Sequence, residues 1–413
     1  MQVTLADLLR SFAKIGLLSF GGPAAQISLM HDELVTRRGW LSEDQFLGAL
    51  SFCMLLPGPE AMQLATYSGW RLRGLTGGLL AGLLFVLPGA FVILVLALAY
   101  ASFAQLALVQ TLFLGIKAAV VVIVLRALWS LSRRALKGRS HWILAGLAFV
   151  AMFFAAVPFP LVIACAALWG WATSRSGATP TKVTLPGNTR TLRTILIWGF
   201  LWAAPVVLAW FSGAIFLTEI ALFFSKLAVV TFGGAYAVLA YMTQAVVDTH
   251  GWLTTAQMID ALGLAETTPG PLILVTEFVG LLAGFQQGGT GLALLAGALT
   301  LWVTFIPCFL WIFSGAPYVE WLLAQPRLKG ALAAISAAVV GVILNLAVWF
   351  TLHVLFTRIT NTAWGLQPDL NSLSPLAALL VAVAMVLMMG LRLSIIAALP
   401  IMAAAAGLLT NLF

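Results

Sequence analysis

The sequence predicts an all-α polytopic membrane protein whose two homologous halves are inverted-topology repeats. Three observations predict it. The 413-residue chain is 62% hydrophobic and 8% charged, with a mean hydropathy of +1.06. A soluble chain of this length cannot bury so much apolar surface, so its solvent is lipid. Segment 12–59 returns without a gap as 224–271, with 17 of 48 positions identical, so the chain holds two copies of one unit. Finally, the basic loops alternate along each half, and the second alternation is shifted by one crossing. Such a shift is what an inverted second copy requires.

The first repeat occupies residues 1–172. Segments 5–19 and 24–36 flank Phe20-Gly21-Gly22-Pro23, and segments 44–56 and 60–71 flank Pro57-Gly58-Pro59. As helices of 12–15 residues they rise only about 18–22 Å, short of a hydrocarbon core of about 30 Å. We read them as half-helices in two re-entrant hairpins, with two broken full spans as the alternative. An apolar block of spanning length, 77–100, follows, and the half closes with two short helices divided by Pro158 and Pro160. The polar linker 173–193 carries Arg175, Lys182, Arg190 and Arg193 and no acid, which places it in the cytoplasm.

The second repeat, 194–413, opens with an extra apolar segment, 195–211. One added span reverses everything after it. The loop charges agree. In the first half a loop with Arg71 and Arg73 is followed by an uncharged one at 101–110, then by Arg126, Arg133, Arg134, Lys137 and Arg139. In the second half an uncharged loop at 286–290 is followed by Arg327 and Lys329, then by only Arg358 and Asp369. The repeat resumes after a seven-residue slip, with Pro88 matching Pro307 and 116–121 matching 335–340. It ends in a helix pair, 376–389 and 394–412, divided near Arg392. About 13 transmembrane or half-membrane helices result, with the N-terminus inside and the C-terminus outside. Asp7, Arg10 and Lys14 near the start, with no small-residue cleavage site, predict no cleavable signal peptide.

The copied residues are those that interrupt or polarise a membrane helix. Phe20, Gly21 and Gly22 return as Phe232, Gly233 and Gly234; Pro57, Gly58 and Pro59 return as Pro269, Gly270 and Pro271; Lys14 returns as Lys226. Paired glycines open backbone conformations closed to other residues, and non-helical backbone at membrane depth must be buried in protein or line a polar cavity. The competing reading is a packing glycine pair between helices. A helix that starts after each Pro-Gly-Pro aims free N–H groups and a positive dipole end into the break, an anion site without side chains; the alternative is a structural kink. Lys14 and Lys226 attract an anion, or they snorkel to the headgroups. Matched interruptions in two halves point to a transport site at the repeat interface.

The acids do not align between the halves. Glu60, Glu266 and Glu277 flank the Pro-Gly-Pro motifs and are candidates for proton coupling, with helix capping as the plainer role. The charged run His31, Asp32, Glu33, Arg37 and Arg38 before Trp40 reads as an interfacial segment, with proton relay by His31 and Asp32 as its alternative. Cys53, Cys165 and Cys308 read as small buried hydrophobes. The four His match no nucleophile or metal arrangement and no phosphate-binding loop is present, so we expect no enzyme activity, cofactor, metal or ATP. The net charge of +8 sits in short loops, where it sets topology, and implies no nucleic acid.

Together, Ser19-Phe20-Gly21-Gly22-Pro23, Arg38-Gly39-Trp40-Leu41, the run from Leu56 to Tyr67 and the run from Glu266 to Leu272 resemble the chromate ion transporter family in its long, two-domain form. The second copy departs at Ala235, where the first has Pro23, so the two glycine turns need not be identical. The resemblance covers nearly the whole chain. It implies export of chromate across the inner membrane, driven by the proton motive force, with chromate resistance as the consequence; another oxyanion such as sulfate is the alternative. The implied partners are the oxyanion, protons and the lipid bilayer, with a homodimer compatible with the sequence. Energetics favour the direction: a dianion leaving an interior at −100 mV gains about 4.6 kcal/mol, and counter-transported protons would add to it.

Overall fold

The computed structural model describes residues 3–174, 188–232, 235–362 and 365–410. Gly233, Gly234 and most of the 173–193 linker lie outside the described residues. The chain is almost entirely helical, as lipid demands, because a helix satisfies its own backbone groups. Among the described residues five helical stretches are long and apolar enough to cross a membrane: Glu60–Phe103, Ala107–Ala135, Thr191–Phe211, Leu272–Leu323 and Pro326–Leu355. The chain is a multi-pass membrane protein.

Helix α1 spans Leu5–Leu18 and starts on Thr4, whose side chain accepts the Asp7 N–H. Helix α2 spans Gly22–His31 and widens into a π-helical turn, Asp32–Arg37. Gly39, at φ 58°, reverses the chain. Helix α3, Glu43–Cys53, then opens on a capping box between Ser42 and Gln45. Helix α4, Glu60–Phe103, follows Pro59.

Helices α5 (Ala107–Ala135), α6 (Arg139–Ala155), α7 (Phe159–Thr173) and α8 (Asn188–Phe211) come next. Several elements of the first half then recur. Helices α9 (Ile215–Val230) and α10 (Ala235–Gln244) lead to a π-helical turn at Ala245–Thr249. Gly251, at φ 61°, and reciprocal Thr254–Gln257 hydrogen bonds then open α11, Thr255–Thr267. The copied Gly39/Gly251 and Gln45/Gln257 therefore serve a chain reversal.

Helix α4 and its counterpart α12, Val275–Gly315, are each two helices joined at a break. The backbone leaves helical geometry at Arg73–Gly74 and at Gly288–Gly289, with φ 62° at Gly74 and 73° at Gly289. Each then folds back on itself. The arms close through small residues: a Cβ added at Gly69 would lie 2.3 Å from the Gly77 carbonyl oxygen, and one at Gly284 would lie 2.8 Å from Ala293 Cα.

Helices α13 (Val319–Ala324), α14 (Pro326–Leu355), α15 (Pro375–Met385) and α16 (Ile395–Leu409) complete the chain. One departure from an all-helical reading is a two-stranded antiparallel ribbon, β1 (Ile359–Thr362) with β2 (Gly365–Pro368). It forms in a polar loop, and Arg358 and Asp369 face each other at its base at 3.5 Å.

The chain folds as two compact units. Unit one takes the stretches ending at Leu98 and Ala235, and Thr268–Lys329. There α8 and α9 pack on α12, and Trp198 stacks on Phe309 with ring centroids 5.5 Å apart. Unit two takes Ala99–Ser174, Tyr236–Thr267 and the stretch from Gly330. There α11, α15 and α16 pack on α5. Gly115 lets the Met402 carbonyl approach, where a Cβ would lie 2.0 Å from its oxygen.

Candidate functional site

Unit one brings the copied interruptions together crosswise. Helix α1 ends before Ser19 and helix α9 before Thr231, the equivalent position. Each hydroxyl bonds back into its own helix, to the carbonyls of Ile15 and Leu227. Each main-chain carbonyl faces the other copy. The Gly270 N–H donates to Ser19 O at 2.9 Å, and the Gly58 N–H donates to Thr231 O at 2.8 Å. The end of α1 at Ser19 is thus tied to the second Pro-Gly-Pro break, and the end of α9 at Thr231 to the first break.

The residue types follow from this geometry. Gly58 sits at φ 120° and Gly270 at φ 88°, a region that strains any side chain. The flanking prolines offer no N–H, so each glycine N–H is the donor its break presents to the carbonyl. At the next layer Gly89 allows the Pro269 carbonyl to approach, where a Cβ would lie 2.2 Å from its oxygen. Its counterpart Cys308 lies where a Cβ on Gly58 would meet Sγ at 3.0 Å.

Two glutamines complete the crossing, and neither is copied. Gln26 is buried and donates through Nε2 to Gly270 O at 2.6 Å and to Ser19 O at 3.3 Å. Gln63 is buried and donates to Pro57 O at 2.7 Å. The Oε1 atoms of both are buried with no hydrogen-bond partner. A buried acceptor without a donor is costly and marks a place where a donor can be taken up. The sequence holds Val238 and Val275 at the matching positions. For Gln26 that polar-for-apolar difference inside the repeated block was the available signal; Gln63 lies beyond the block.

Phe20 and Phe232 are half-buried beside their turns, and Gly21 and Gly22 sit at φ 86° and 77°. The second break, Pro269–Pro271, is fully buried, whereas Pro57 is half-buried.

Lys14 is placed by an acid that the sequence reading assigned elsewhere. Its Nζ lies 2.6 Å from Glu33 Oε2, and Arg38 Nε lies 3.1 Å from Oε1. Glu33 is 4% exposed in its side chain, so it needs both cations. Burial pushes its carboxyl up, and the hydrogen bonds from Lys14 and Arg38 outweigh this and hold it below the usual carboxylate value. Arg38 also lies over the Trp40 ring at 5.1 Å. In the rest of the charged run Arg37 pairs with Asp32, and His31 pairs with Glu43 at the start of α3. The second copy has Ala245 at the Glu33 position, so this arrangement is not duplicated; Lys226 is exposed.

The three candidate acids fall in different places. Glu60 opens α4 and Glu277 lies on α12, both in unit one; Glu277 is buried and its Oε2 has no hydrogen-bond partner. Glu266 is in unit two, buried, and accepts from the Tyr236 hydroxyl at 2.8 Å. Among the described residues no group of His, Cys, Asp and Glu could hold a metal ion.

Unit two contains a further polar cluster that sequence reasoning passed over. Asp260 on α11 accepts from the Tyr100 hydroxyl at 2.7 Å, and Lys117 on α5 lies 3.1 Å from its other oxygen. A lysine inside the apolar run 116–121 and an aspartate in an apolar helix were visible signals, but nothing local joins them.

The chromate transporter family profile matches residues 6–171 and 218–408. A chromate transport protein of Cupriavidus metallidurans is 30% identical over 349 residues, 82% of this chain and 81% of that one. A chromate transport protein of Pseudomonas aeruginosa is 33% identical over 345 residues, covering 82% and 79%. A probable chromate transport protein of Synechococcus elongatus is 30% identical over 352 residues, covering 82% and 83%. No solved structure matches the chain.

Proposed function

The chain belongs to the chromate transporter family, and from that premise we propose that it is a secondary transporter exporting chromate, driven by the proton motive force. The transported species is a tetrahedral oxyanion, so sulfate competes for it. The observation that carries this reading is the reciprocal pair of hydrogen bonds, Gly270 N–H to Ser19 O and Gly58 N–H to Thr231 O. Two equivalent interruptions that tie each other are the arrangement expected of inverted repeats meeting at a substrate path. Lys14, Phe20, Gly21, Gly22, Pro57, Gly58 and Pro59, with their copies Lys226, Phe232, Gly233, Gly234, Pro269, Gly270 and Pro271, form that path. Glu60, Glu266 and Glu277 are its proton-coupling candidates. The orphan acceptors of Gln26, Gln63 and Glu277 support a polar route through unit one.

The protein would reside in the inner membrane with about 13 crossing or half-crossing segments, the N-terminus cytoplasmic and the C-terminus outside. It would act alone or as a homodimer and confer chromate resistance. The test is labelled-chromate flux in everted membrane vesicles under an imposed pH gradient and potential, with sulfate as competitor. Saturable, gradient-dependent uptake that sulfate inhibits is expected. Flux proportional to concentration and indifferent to the gradient would make the protein a channel and sink the reading.

A further inference from the structure

Unit two holds a cavity of about 400 Å³ lined by Tyr100, Gln105, Gln110, Lys117, Gln257 and Asp260, among others. It is not a duplicated feature. The positions matching Tyr100, Lys117 and Asp260 are Val319, Ser336 and Gly48. Lys117 lies within a membrane-spanning helix, where an ammonium is costly unless an anion meets it. Its side chain is 22% exposed and that of Asp260 only 7%. The ammonium therefore still reaches the cavity, while its present counter-ion is sealed.

The hold of Asp260 on Lys117 is ionic and incomplete. Oδ2 takes the Tyr100 hydroxyl. Oδ1 lies 3.1 Å from Lys117 Nζ as an ion pair and takes no further donor. Around this pair the lining offers donors. Gln257 spends its Oε1 on the Thr254 N–H, which leaves its amide N–H groups uncommitted in that capping box. The amides of Gln105 and Gln110 line the same space. A neutral ion pair ringed by amide donors is an anion site whose place is already taken by a tethered carboxylate.

We propose that this cavity binds a tetrahedral oxyanion on Lys117, and that Asp260 is the internal anion it must displace. The displaced carboxylate cannot stay ionised in its buried place, so it takes up one proton as the oxyanion binds. The Asp260 proton comes from hydronium or a buffer acid in the bulk solution, whose bond to that proton breaks as the O–H bond on Asp260 forms, and no covalent bond to the oxyanion is made. Of the groups facing the pair, Tyr100 comes from α4, Lys117 from α5 and Asp260 from α11, and α16, packed on α5 and α11, carries no titratable side chain. Proton and oxyanion then bind together. A dianion accompanied by one proton still moves one negative charge, so an inside-negative potential drives it outward. The inference rests on the transport reading for its ligand class, and it replaces the counter-transport of protons expected from sequence with a proton that travels with the anion, driven by the membrane potential.

The experiment measures chromate and sulfate binding by the whole protein in lipid nanodiscs between pH 6 and pH 9, with proton uptake followed in weak buffer. Wild type is expected to take up about one proton per anion and to lose about tenfold in affinity per pH unit once Asp260 is ionised. Asp260→Asn should bind tightly, without pH dependence and without proton uptake. Lys117→Gln should bind at least tenfold more weakly at every pH. Tyr100→Phe, which keeps both charges, removes a donor to the carboxylate and should tighten binding several-fold near neutrality; it serves if Asp260→Asn does not fold. Unchanged proton uptake in Asp260→Asn, or wild-type affinity in Lys117→Gln, overturns the proposal. So does an Asp260→Asn protein that loses stability with no change in anion affinity, the behaviour of a pair that only holds α5 to α11. Chromate flux in Lys117→Gln with wild-type proton dependence would overturn this site and leave the transport reading intact. Proton-linked chromate binding without any flux would do the reverse.

Discussion

In unit one, the turn after α1 and the turn after α9 each give a carbonyl to the Pro-Gly-Pro break of the other copy, at 2.9 and 2.8 Å. In unit two, Tyr100, Lys117 and Asp260 form a cluster whose matching positions hold Val319, Ser336 and Gly48. The difference separates two kinds of work. A crossing built from backbone needs only that glycine and proline set the chain direction, so duplication preserves it. A charge cluster needs particular side chains in low dielectric, where a second ion pair would double the desolvation penalty. The copied crossing thus sets the backbone of the proposed path, and the uncopied cluster holds an ion pair in unit two.

The comparison can be broken most severely at Gly89. Gly89→Val places a branched side chain against the Pro269 carbonyl, with Cβ only 2.2 Å from its oxygen. A loss of about 3 kcal/mol or more is expected, read as thermal unfolding of purified protein. Its counterpart Cys308→Ala should cost only about 1 kcal/mol; equal losses would show that the two breaks are not framework of one kind.

Next in size is Lys117→Gln, which leaves Asp260 buried with a hydroxyl donor and no cation. About 3 kcal/mol is expected, and the double variant with Asp260→Asn should recover most of it. Additive losses in that double-mutant cycle would mean that the pair is not coupled.

Gln26→Val makes the first turn resemble the second, which has Val238. It strips a donor from the Gly270 and Ser19 carbonyls and should cost about 2 kcal/mol. A neutral effect in a melting experiment would show that the crossing is carried by the main chain alone.

The smallest effect is acid-dependent. The lowered pKa of Glu33 means that the native state favours its carboxylate. The stability it contributes is complete above the ordinary carboxylate value and is lost as pH falls through the depressed folded value. Lys14 is 41% exposed, so the Lys14–Glu33 part amounts to about 1 kcal/mol or less. Melting temperatures of wild type and Glu33→Gln should differ at neutral pH and converge in acid; a constant gap would remove the charge argument.

Much of the framework was legible in the sequence. The breaks at 20–23 and 57–59, the short helices around them, the divisions near Pro158 and Arg392 and the apolar helix over 195–211 fall where Gly, Pro and hydropathy put them. The folded-back form of α4 was legible only as a basic loop at Arg71 and Arg73, and the Phe12–Pro59 repeat gave no hint that Lys14 would meet Glu33. Helix geometry brings those two together because a turn lies between them, and neither residue announces the other.

By itself the sequence determined the solvent, the duplication and the sites of interruption. Composition is a sum over the chain, and Gly and Pro act on their own backbone, so each can be read without a partner. Only the tertiary structure decided that Gln26 meets Gly270, 244 positions away, and that Tyr100 meets Asp260, 160 positions away. Contacts at such separations are selected by packing of whole helices. The charge that a buried aspartate carries depends on which lysine that packing delivers to it.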